Sequence, residues 1–312
     1  MTSATTHAEN KQNKLKVGLV LGGGGAKGAA EVGVLKYIEK SGIHIDYIVG
    51  TSIGSIVGGL YSCGYRSAQL DSLFSDQEWL NLLTDRNTNY DNHLFKRKDG
   101  VTYMLGFPIG RKGKDSDFSN FGIVRGDSIT QLFDRITGRA DSIDFNKLLI
   151  PFRCVAVDMR QLKEVVIQNG QLSKAMRASM SIPGFFKPVV KDSMLLVDGG
   201  VLNNLPVDVA RDMGADVIIA IDLTQNKRKA RDKEMKKRKG ISFLLEWNKI
   251  RPDLKKYNIN RTQCDVYINP YLKGYDATDF NPKKIKAMIK AGEKAGKEAL
   301  SNLKKLKKQI DN

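Results

Sequence analysis

The chain has 312 residues, of which 41% are hydrophobic and 27% charged, and its 51 Lys and Arg against 34 Asp and Glu give a net charge of +17. This composition excludes an acidic disordered chain and predicts a globular protein that buries a large core without disulfides. Two segments hold most of the excess charge. Residues 227–239 contain nine basic and two acidic side chains, and residues 283–308 contain ten lysines and two glutamates. The rest of the chain is close to neutral.

The three cysteines, Cys63, Cys154 and Cys264, are far apart and lack CxxC spacing, which is typical of a reducing compartment. Residues 1–14 are polar without the apolar core of a signal peptide, and no apolar run reaches the roughly 18 residues needed to span a bilayer. We therefore predict a cytoplasmic or peripheral membrane protein with a disordered segment over 1–14. An exported domain of a longer protein is the alternative.

Apolar runs alternate with helical patterns along most of the chain. The predicted strands lie at 15–21, 46–50, 152–158, 164–168, 194–197, 216–222 and 265–269. The predicted helices lie at 28–40, 55–63, 66–83, 127–137, 171–180, 205–213, 241–250 and 282–310. This alternation indicates an α/β sheet with helices on both faces.

Three segments stand apart from this pattern. Residues 86–125 mix charges with aromatic and aliphatic side chains, which predicts an insert or lid, with a surface hairpin as the alternative. Residues 225–240 are predicted to form a basic loop. The helix over 282–310 has an apolar stripe beside its lysines, which favours packing against the domain over lying on a membrane. Contact with an anionic membrane through 227–239 and 283–308 stays open, and no nucleic acid is expected because no RNA-binding signature accompanies the charge.

Residues 22–28 read Gly-Gly-Gly-Gly-Ala-Lys-Gly and lie between a predicted strand and a predicted helix. Backbone N–H groups of such a turn converge on an anion. A nucleotide phosphate loop would need Ser or Thr after its lysine, but Lys27 is followed by Gly28. A dinucleotide spacing is present, but the acid nearby, Asp46, precedes the second strand instead of following it. The oxyanion of acyl transfer is the favoured anion, since adjacent parallel strands would bring this turn and the next motif to one sheet edge.

That next motif, Gly-Thr-Ser-Ile-Gly at 50–54, also joins a strand to a helix. Gly50 and Gly54 leave room for a sharp turn that exposes Ser52, and the helix N-terminus favours developing negative charge. The only histidine after Ser52 is His93, in a polar stretch typical of a solvated loop, so a Ser–His–Asp triad is not expected. The base of a serine nucleophile should therefore be a carboxylate.

Asp198 is the best candidate for that carboxylate, because an apolar strand delivers it to a turn formed by Gly199 and Gly200. An ordinary Asp-Gly-Gly turn is the alternative interpretation.

Three motifs of this chain resemble, in the same order, the three signatures of the patatin-like phospholipase family. They lie at 22–28, 50–54 and 198–200. Residues 177–189 and 203–206 resemble segments that bacterial members carry near the catalytic acid. The resemblance covers about residues 15–222. It implies a patatin-like three-layer α/β/α sandwich with a central, mostly parallel sheet, in a catalytic domain that we place at 15–312.

The resemblance also implies roles for individual residues. Ser52 would be the nucleophile, Asp198 its partner, and the amides of Gly23, Gly24 and Gly25 the oxyanion hole. The supporting residues would be Lys27, Gly28, Gly50, Gly54, Gly199 and Gly200. The implied activity is hydrolysis of phospholipid, lysophospholipid or other lipid esters through an acyl-serine, without a metal or organic cofactor. The alternatives are a lipid- or partner-binding member without turnover, and a thioesterase or peptidase on the same pair.

Overall fold

The computed structural model describes residues 14–85, 122–138, 141–225 and 251–312. The predictions for residues 1–13, for 86–121 of the insert, for the basic run at 227–239 and for the helix at 241–250 lie outside the described residues.

The strands of the described residues are β1 Val17–Leu21, β2 Tyr47–Thr51, β3 Ser142–Asp144, β4 Phe152–Asp158, β5 Lys163–Ile167, β6 Asn169–Gln171, β7 Val189–Lys191, β8 Met194–Asp198, β9 Val217–Ile221 and β10 Val266–Ile268. The α-helices are α1 Ala29–Ser41, α2 Ile53–Ser62, α3 Ser67–Asp76, α4 Trp79–Leu83, α5 Asp127–Thr137, α6 Leu172–Ser179, α7 Val207–Asp212, α8 Leu254–Thr262 and α9 Pro282–Asp311.

Eight of these strands form the central sheet, in the order β10-β9-β1-β2-β4-β8-β7 with β5 also paired to β4. The pairs from β10 to β4 are parallel, whereas β4–β5, β4–β8 and β7–β8 are antiparallel. Every residue of β1 and β9 is buried, as expected for parallel strands covered on both faces. The sheet is therefore mostly parallel, as predicted.

Successive side chains of β1 lie on opposite faces of this sheet. Leu19 and Leu21 join the core that contains side chains of α1, α2 and α9, whereas Val20 joins a second core with side chains of α7 and α8. Helices thus cover both faces, and the predicted three-layer α/β/α arrangement is confirmed.

Helix α9 packs along α1 through close backbone contacts. A Cβ at Gly292 would overlap the Ala30 carbonyl, and a Cβ at Gly33 would overlap the Ile289 carbonyl, so both positions require glycine. The buried side of α9 carries Met288 and Leu303, among other apolar residues. The apolar stripe of this helix therefore packs against the domain. Within the described ranges, no helix is both long and apolar enough to cross a membrane.

The structure departs from the predicted elements in a few places. The helix predicted at 66–83 is two helices, α3 and α4, because the backbone of Gln77 is extended and ends α3. Helix α8 and the short strands β3, β6 and β7 have no counterpart among the predictions.

Candidate active site

Parallel pairing of β1 and β2, with Leu21 opposite Gly50, brings the glycine turn and the serine motif to the same end of the sheet. A Cβ built on Gly23 would lie 3.2 Å from the Cβ of Ser52. Gly28 is equally close to α2, since a Cβ there would overlap the Ile53 side chain. The two predicted motifs are therefore in direct contact.

Ser52 lies on a strained turn between β2 and α2. Its backbone has φ 56° and ψ −124°, a conformation that L-residues rarely adopt. A Cβ on Gly50 would overlap the carbonyl of Gly54, and one on Gly54 would overlap the carbonyl of Leu21. Both flanking glycines are thus required by the close approach of backbone to backbone.

The Ser52 backbone is held by a short relay of hydrogen bonds. Its N–H donates to Oγ of Ser179 at 2.9 Å, and that hydroxyl donates to the Val155 carbonyl of β4 at 2.6 Å. The Ser52 carbonyl accepts from Oγ of Ser55 at 2.6 Å. These contacts stabilise the strained turn, because each satisfies a buried polar group.

Asp198, the last residue of β8, accepts a hydrogen bond from the Ser52 hydroxyl, with 2.7 Å between Oγ and Oδ2. Its other oxygen, Oδ1, accepts from the Gly200 N–H at 2.7 Å. Only 2% of Asp198 is exposed. Burial raises the pKa of Asp198 to about 6, against the opposing effect of the hydrogen bonds from Ser52 and Gly200. The pair is therefore a buried hydroxyl and a carboxylate that is more basic than an ordinary aspartate.

The glycines after Asp198 are fixed by their surroundings. A Cβ on Gly199 would overlap the Val155 carbonyl, and one on Gly200 would lie 2.7 Å from Oδ1 of Asn204. The Asp-Gly-Gly segment is thus built into the site and is not an exposed turn.

The glycine turn offers two amides to a ligand. The Gly23 N–H donates to the Asn204 carbonyl at 3.1 Å, so this amide is already engaged. The N–H groups of Gly24 and Gly25 have no hydrogen-bond partner among the described residues. Of the three predicted oxyanion donors, Gly24 and Gly25 are the ones with a free N–H. Lys27 lies in the short 3-10 turn Gly25–Gly28 and is partly exposed.

The dinucleotide interpretation of the glycine turn finds no support in the geometry. Asp46 accepts from the Lys16 ammonium at 3.0 Å and the Val17 N–H at 2.9 Å, so it lies at the start of β1, at the opposite end from the glycine turn. It cannot serve as a ribose-binding acid beside that turn. His93 lies outside the described residues. In the part of the chain that is described, no group of three or more His, Cys, Asp or Glu side chains could hold a metal ion.

Neither Ser179 nor Asn204 is identifiable from the sequence as a site residue. Both lie in the segments 177–189 and 203–206, and the family resemblance of these segments is the one signal that points to them. Their contacts connect positions 127 and 181 residues apart, which no local pattern encodes.

An α/β/α sandwich that joins a serine turn, a buried aspartate and a glycine turn at one end of its strands defines the class of this protein. The family model described as patatin-like phospholipase matches residues 19–211. The chain therefore belongs to the patatin-like phospholipase family, as its motifs predicted.

Several relatives are about a third identical to this chain over an aligned stretch of 209 residues. Patatin-like phospholipase domain-containing protein 7 of Rattus norvegicus is 34% identical over 209 residues, and protein 6 of that name from Homo sapiens is 35% identical over 209 residues. Lysophospholipase NTE1 of Mycosarcoma maydis is 34% identical over 209 residues. These matches cover 66%, 66% and 67% of this chain but only 13%, 13% and 10% of the relatives.

A solved structure supports the fold. VipD from Legionella pneumophila superposes with a TM-score of 0.54 at 14% sequence identity, over 92% of this chain and 67% of VipD. At that identity the likeness shows the fold alone.

The hydrogen-bond relay can be tested with two serines that are matched in position. Ser179 and Ser62 are both fully buried last residues of helices, but Oγ of Ser62 has no hydrogen-bond partner within the described residues. We expect Ser179→Ala to lower the free energy of unfolding by about 1–3 kcal/mol, because it leaves the buried Ser52 N–H unpaired. Ser62→Ala should be neutral or stabilising. Urea denaturation of both variants at one pH checks this, and equal effects would contradict the relay.

Proposed function

We propose that this protein is a lipid acyl hydrolase that cleaves a carboxylic ester of phospholipid, lysophospholipid or another lipid, with Ser52 as nucleophile and Asp198 as base. The observation that carries the proposal is the buried 2.7 Å hydrogen bond between Ser52 Oγ and Asp198 Oδ2, beside a glycine turn in which two amides have no partner among the described residues. Membership of a phospholipase family and the lysophospholipase name of one relative support the same substrate class.

In the first step the Asp198 carboxylate takes the hydroxyl proton while Ser52 Oγ attacks the ester carbonyl carbon. No histidine is needed between them, because the two side chains are in direct contact. With a pKa of about 6, Asp198 is ionised at neutral pH yet binds a proton more readily than an exposed aspartate.

The tetrahedral intermediate carries a negative oxygen that needs fixed donors. The N–H groups of Gly24 and Gly25 are available for it, and each such donor contributes about 3–4 kcal/mol to transition-state stabilisation in comparable sites. The intermediate collapses as the ester C–O bond breaks, and the leaving alcohol oxygen takes the proton from Asp198. This leaves an acyl-Ser52.

Water completes the cycle. Asp198 accepts a proton from the water molecule as its oxygen attacks the acyl carbon, and the oxyanion again lies on the glycine-turn amides. Collapse breaks the bond to Ser52 Oγ, which recovers its proton from Asp198, and the fatty acid leaves.

We further propose that α9 docks the enzyme on an anionic lipid surface. Eight exposed lysines, which we call the lysine ridge, lie on one side of this helix: Lys283, Lys286, Lys290, Lys294, Lys297, Lys304, Lys305 and Lys308. At 3.6 residues per turn they fall within an arc of about 100°. The arc lies opposite the buried face of the helix, which includes Met288 and Leu303.

The segment that leads into the ridge contacts the glycine turn. Ala277, four residues before the Asn281 cap of α9, accepts a hydrogen bond from the Ala26 N–H of the glycine turn at 2.8 Å. Docking along the ridge would therefore bring the end of the sheet that holds Ser52 close to the lipid. Each lysine near an anionic membrane contributes about 1 kcal/mol of attraction. Contact through 227–239 stays a prediction, since that run is outside the described residues.

The dyad is tested by removing each partner. Ser52→Ala and Asp198→Asn should lower kcat on p-nitrophenyl butyrate by about 1,000-fold or more, because each loses the nucleophile or its base. Ser52→Ala should also abolish covalent labelling by a fluorophosphonate. The matched controls are Ser72→Ala and Asp192→Asn, at exposed positions, which should behave as wild type. A wild-type protein that binds lipid but neither hydrolyses the ester nor takes the label would contradict the proposal and favour a binding module.

The raised pKa of Asp198 predicts a pH dependence. The base must be ionised, so kcat/KM on a soluble ester should rise with pH through an apparent pKa of about 6 and level off above about pH 7. The rate of fluorophosphonate labelling should follow the same curve. A profile that is flat between pH 5 and 8 would show that the base is not this buried carboxylate.

The lysine ridge is tested by charge reversal, against a control variant of the same net charge. The triple variant Lys290→Glu, Lys294→Glu, Lys297→Glu should reduce binding to phosphatidylserine-containing vesicles about 100-fold in a flotation assay, from about 1 kcal/mol per lysine. Its activity on a soluble ester should persist. The control triple Lys147→Glu, Lys163→Glu, Lys174→Glu changes exposed lysines on other elements by the same charge. Equal losses for both triples would mean that net charge, not the ridge, drives binding.

A further inference from the structure

We propose that Asn204 is the positioning residue of the glycine turn: it holds the Gly23 backbone so that the Gly24 and Gly25 N–H groups face the oxyanion beside Ser52. The part of this inference that concerns the oxyanion rests on the proposed function. The part that concerns the backbone does not depend on any activity.

Asn204 contacts Gly23 in two ways. Its main-chain carbonyl accepts the Gly23 N–H at 3.1 Å, and its side-chain Nδ2 donates to the Gly23 carbonyl at 3.3 Å. The same Nδ2 lies 3.5 Å from Oγ1 of Thr224. Both polar groups of Gly23 are thus bound by one residue.

The side-chain contact determines where the next amide points. The Gly23 carbonyl and the Gly24 N–H belong to one planar, trans peptide unit, so they point in opposite directions. Binding the carbonyl on the Asn204 side therefore directs the Gly24 N–H to the other side. Glycines flank this peptide bond, and they offer little resistance to its rotation. Without Asn204 the carbonyl could turn into the oxyanion position.

The Asn204 side chain also lies between the glycine turn and the turn that follows Asp198. Oδ1 of Asn204 occupies the space where a Cβ would lie on Gly23, and it would be 2.7 Å from a Cβ on Gly200. Gly200 donates its N–H to Asp198. Asn204 therefore fits between the glycine turn and the carboxylate turn, and both glycines are needed to admit it.

The preceding residue, Asn203, anchors this segment to the nucleophile turn. Its main-chain carbonyl accepts from Oγ1 of Thr51 at 2.9 Å. Its fully buried side chain donates to Glu164 at 3.0 Å and to Asp208 at 2.9 Å, and both carboxylates also bind the Lys256 ammonium. Two consecutive asparagines thus set the serine turn and the oxyanion turn relative to each other.

The test uses Asn204→Leu, which keeps the side-chain volume without the amide, and Asn204→Ala. Both should lower kcat on p-nitrophenyl butyrate by about 10- to 100-fold, less than or comparable to the loss of one oxyanion donor, while KM changes less than about 3-fold. The apparent pKa of the kcat/KM profile should stay that of wild type, because the Ser52–Asp198 pair is intact. Asn146→Ala, which removes an exposed asparagine on another element, is the control with wild-type kinetics. If kcat stays within about 3-fold of wild type, or if KM accounts for the loss, the inference is wrong.

Hydrogen–deuterium exchange separates this inference from the proposed function. In both variants the hydrogen-bonded amides of this turn, those of Gly22, Gly23, Ala26 and Lys27, should exchange about 10-fold faster or more than in wild type, while those of 53–62 in α2 should not change. Unchanged protection of 22–27 would overturn the positioning role even in an active enzyme. An inactive, unlabelled wild type with the predicted exchange pattern would instead overturn the hydrolase and retain the positioning role. If Asn204→Leu does not fold, Asn204→Ala decides.

Discussion

The site depends on a carboxylate being kept inside the protein, in contact with a hydroxyl. Burial opposes the charge on Asp198, and a folded pKa of about 6 against 3.8 for the free group corresponds to about 3 kcal/mol against the ionised form. Because the folded pKa is the higher one, this unfavourable contribution appears as pH rises from about 4 to 6 and is complete at neutral pH. The rest of the fold must offset it, together with the strain of Ser52 at φ 56°. The basic carboxylate and the strained turn at Ser52 are thus held against the protein's own stability.

Rigid backbone contacts are what hold the site in place. Strands β2 and β8, which deliver Ser52 and Asp198, both pair with β4 and not with each other. The Val155 carbonyl of β4 accepts from Ser179 and lies against Gly199, so one backbone group supports both halves of the dyad. Such contacts leave no room for a Cβ, which explains why glycines border every reacting group.

Elements that depend on local sequence could be predicted, whereas contacts between residues far apart in the chain could not. The strand at Phe152–Asp158 was predicted with its observed ends, because a single apolar run identifies it. Ser52 and Asp198 could be named as candidates because each lies in a local motif. Helix α8 was missed because its sequence, Leu254–Thr262, is mostly polar with little helical periodicity. The engagement of the Gly23 amide could not be predicted, since its partner is 181 residues away and is a main-chain carbonyl, which any residue type supplies.

Helix α9 keeps its packing face and its charged face on opposite sides. Its packing on α1 uses glycines and apolar side chains on one side, and its lysines occupy the opposite side. Because no ridge lysine takes part in that packing, the charge of the ridge can change without moving α1, and α1 follows directly from the glycine turn. The lysines of the ridge therefore lie where their charge does not alter the electrostatics of Asp198, whose pKa is set by burial and by two hydrogen bonds.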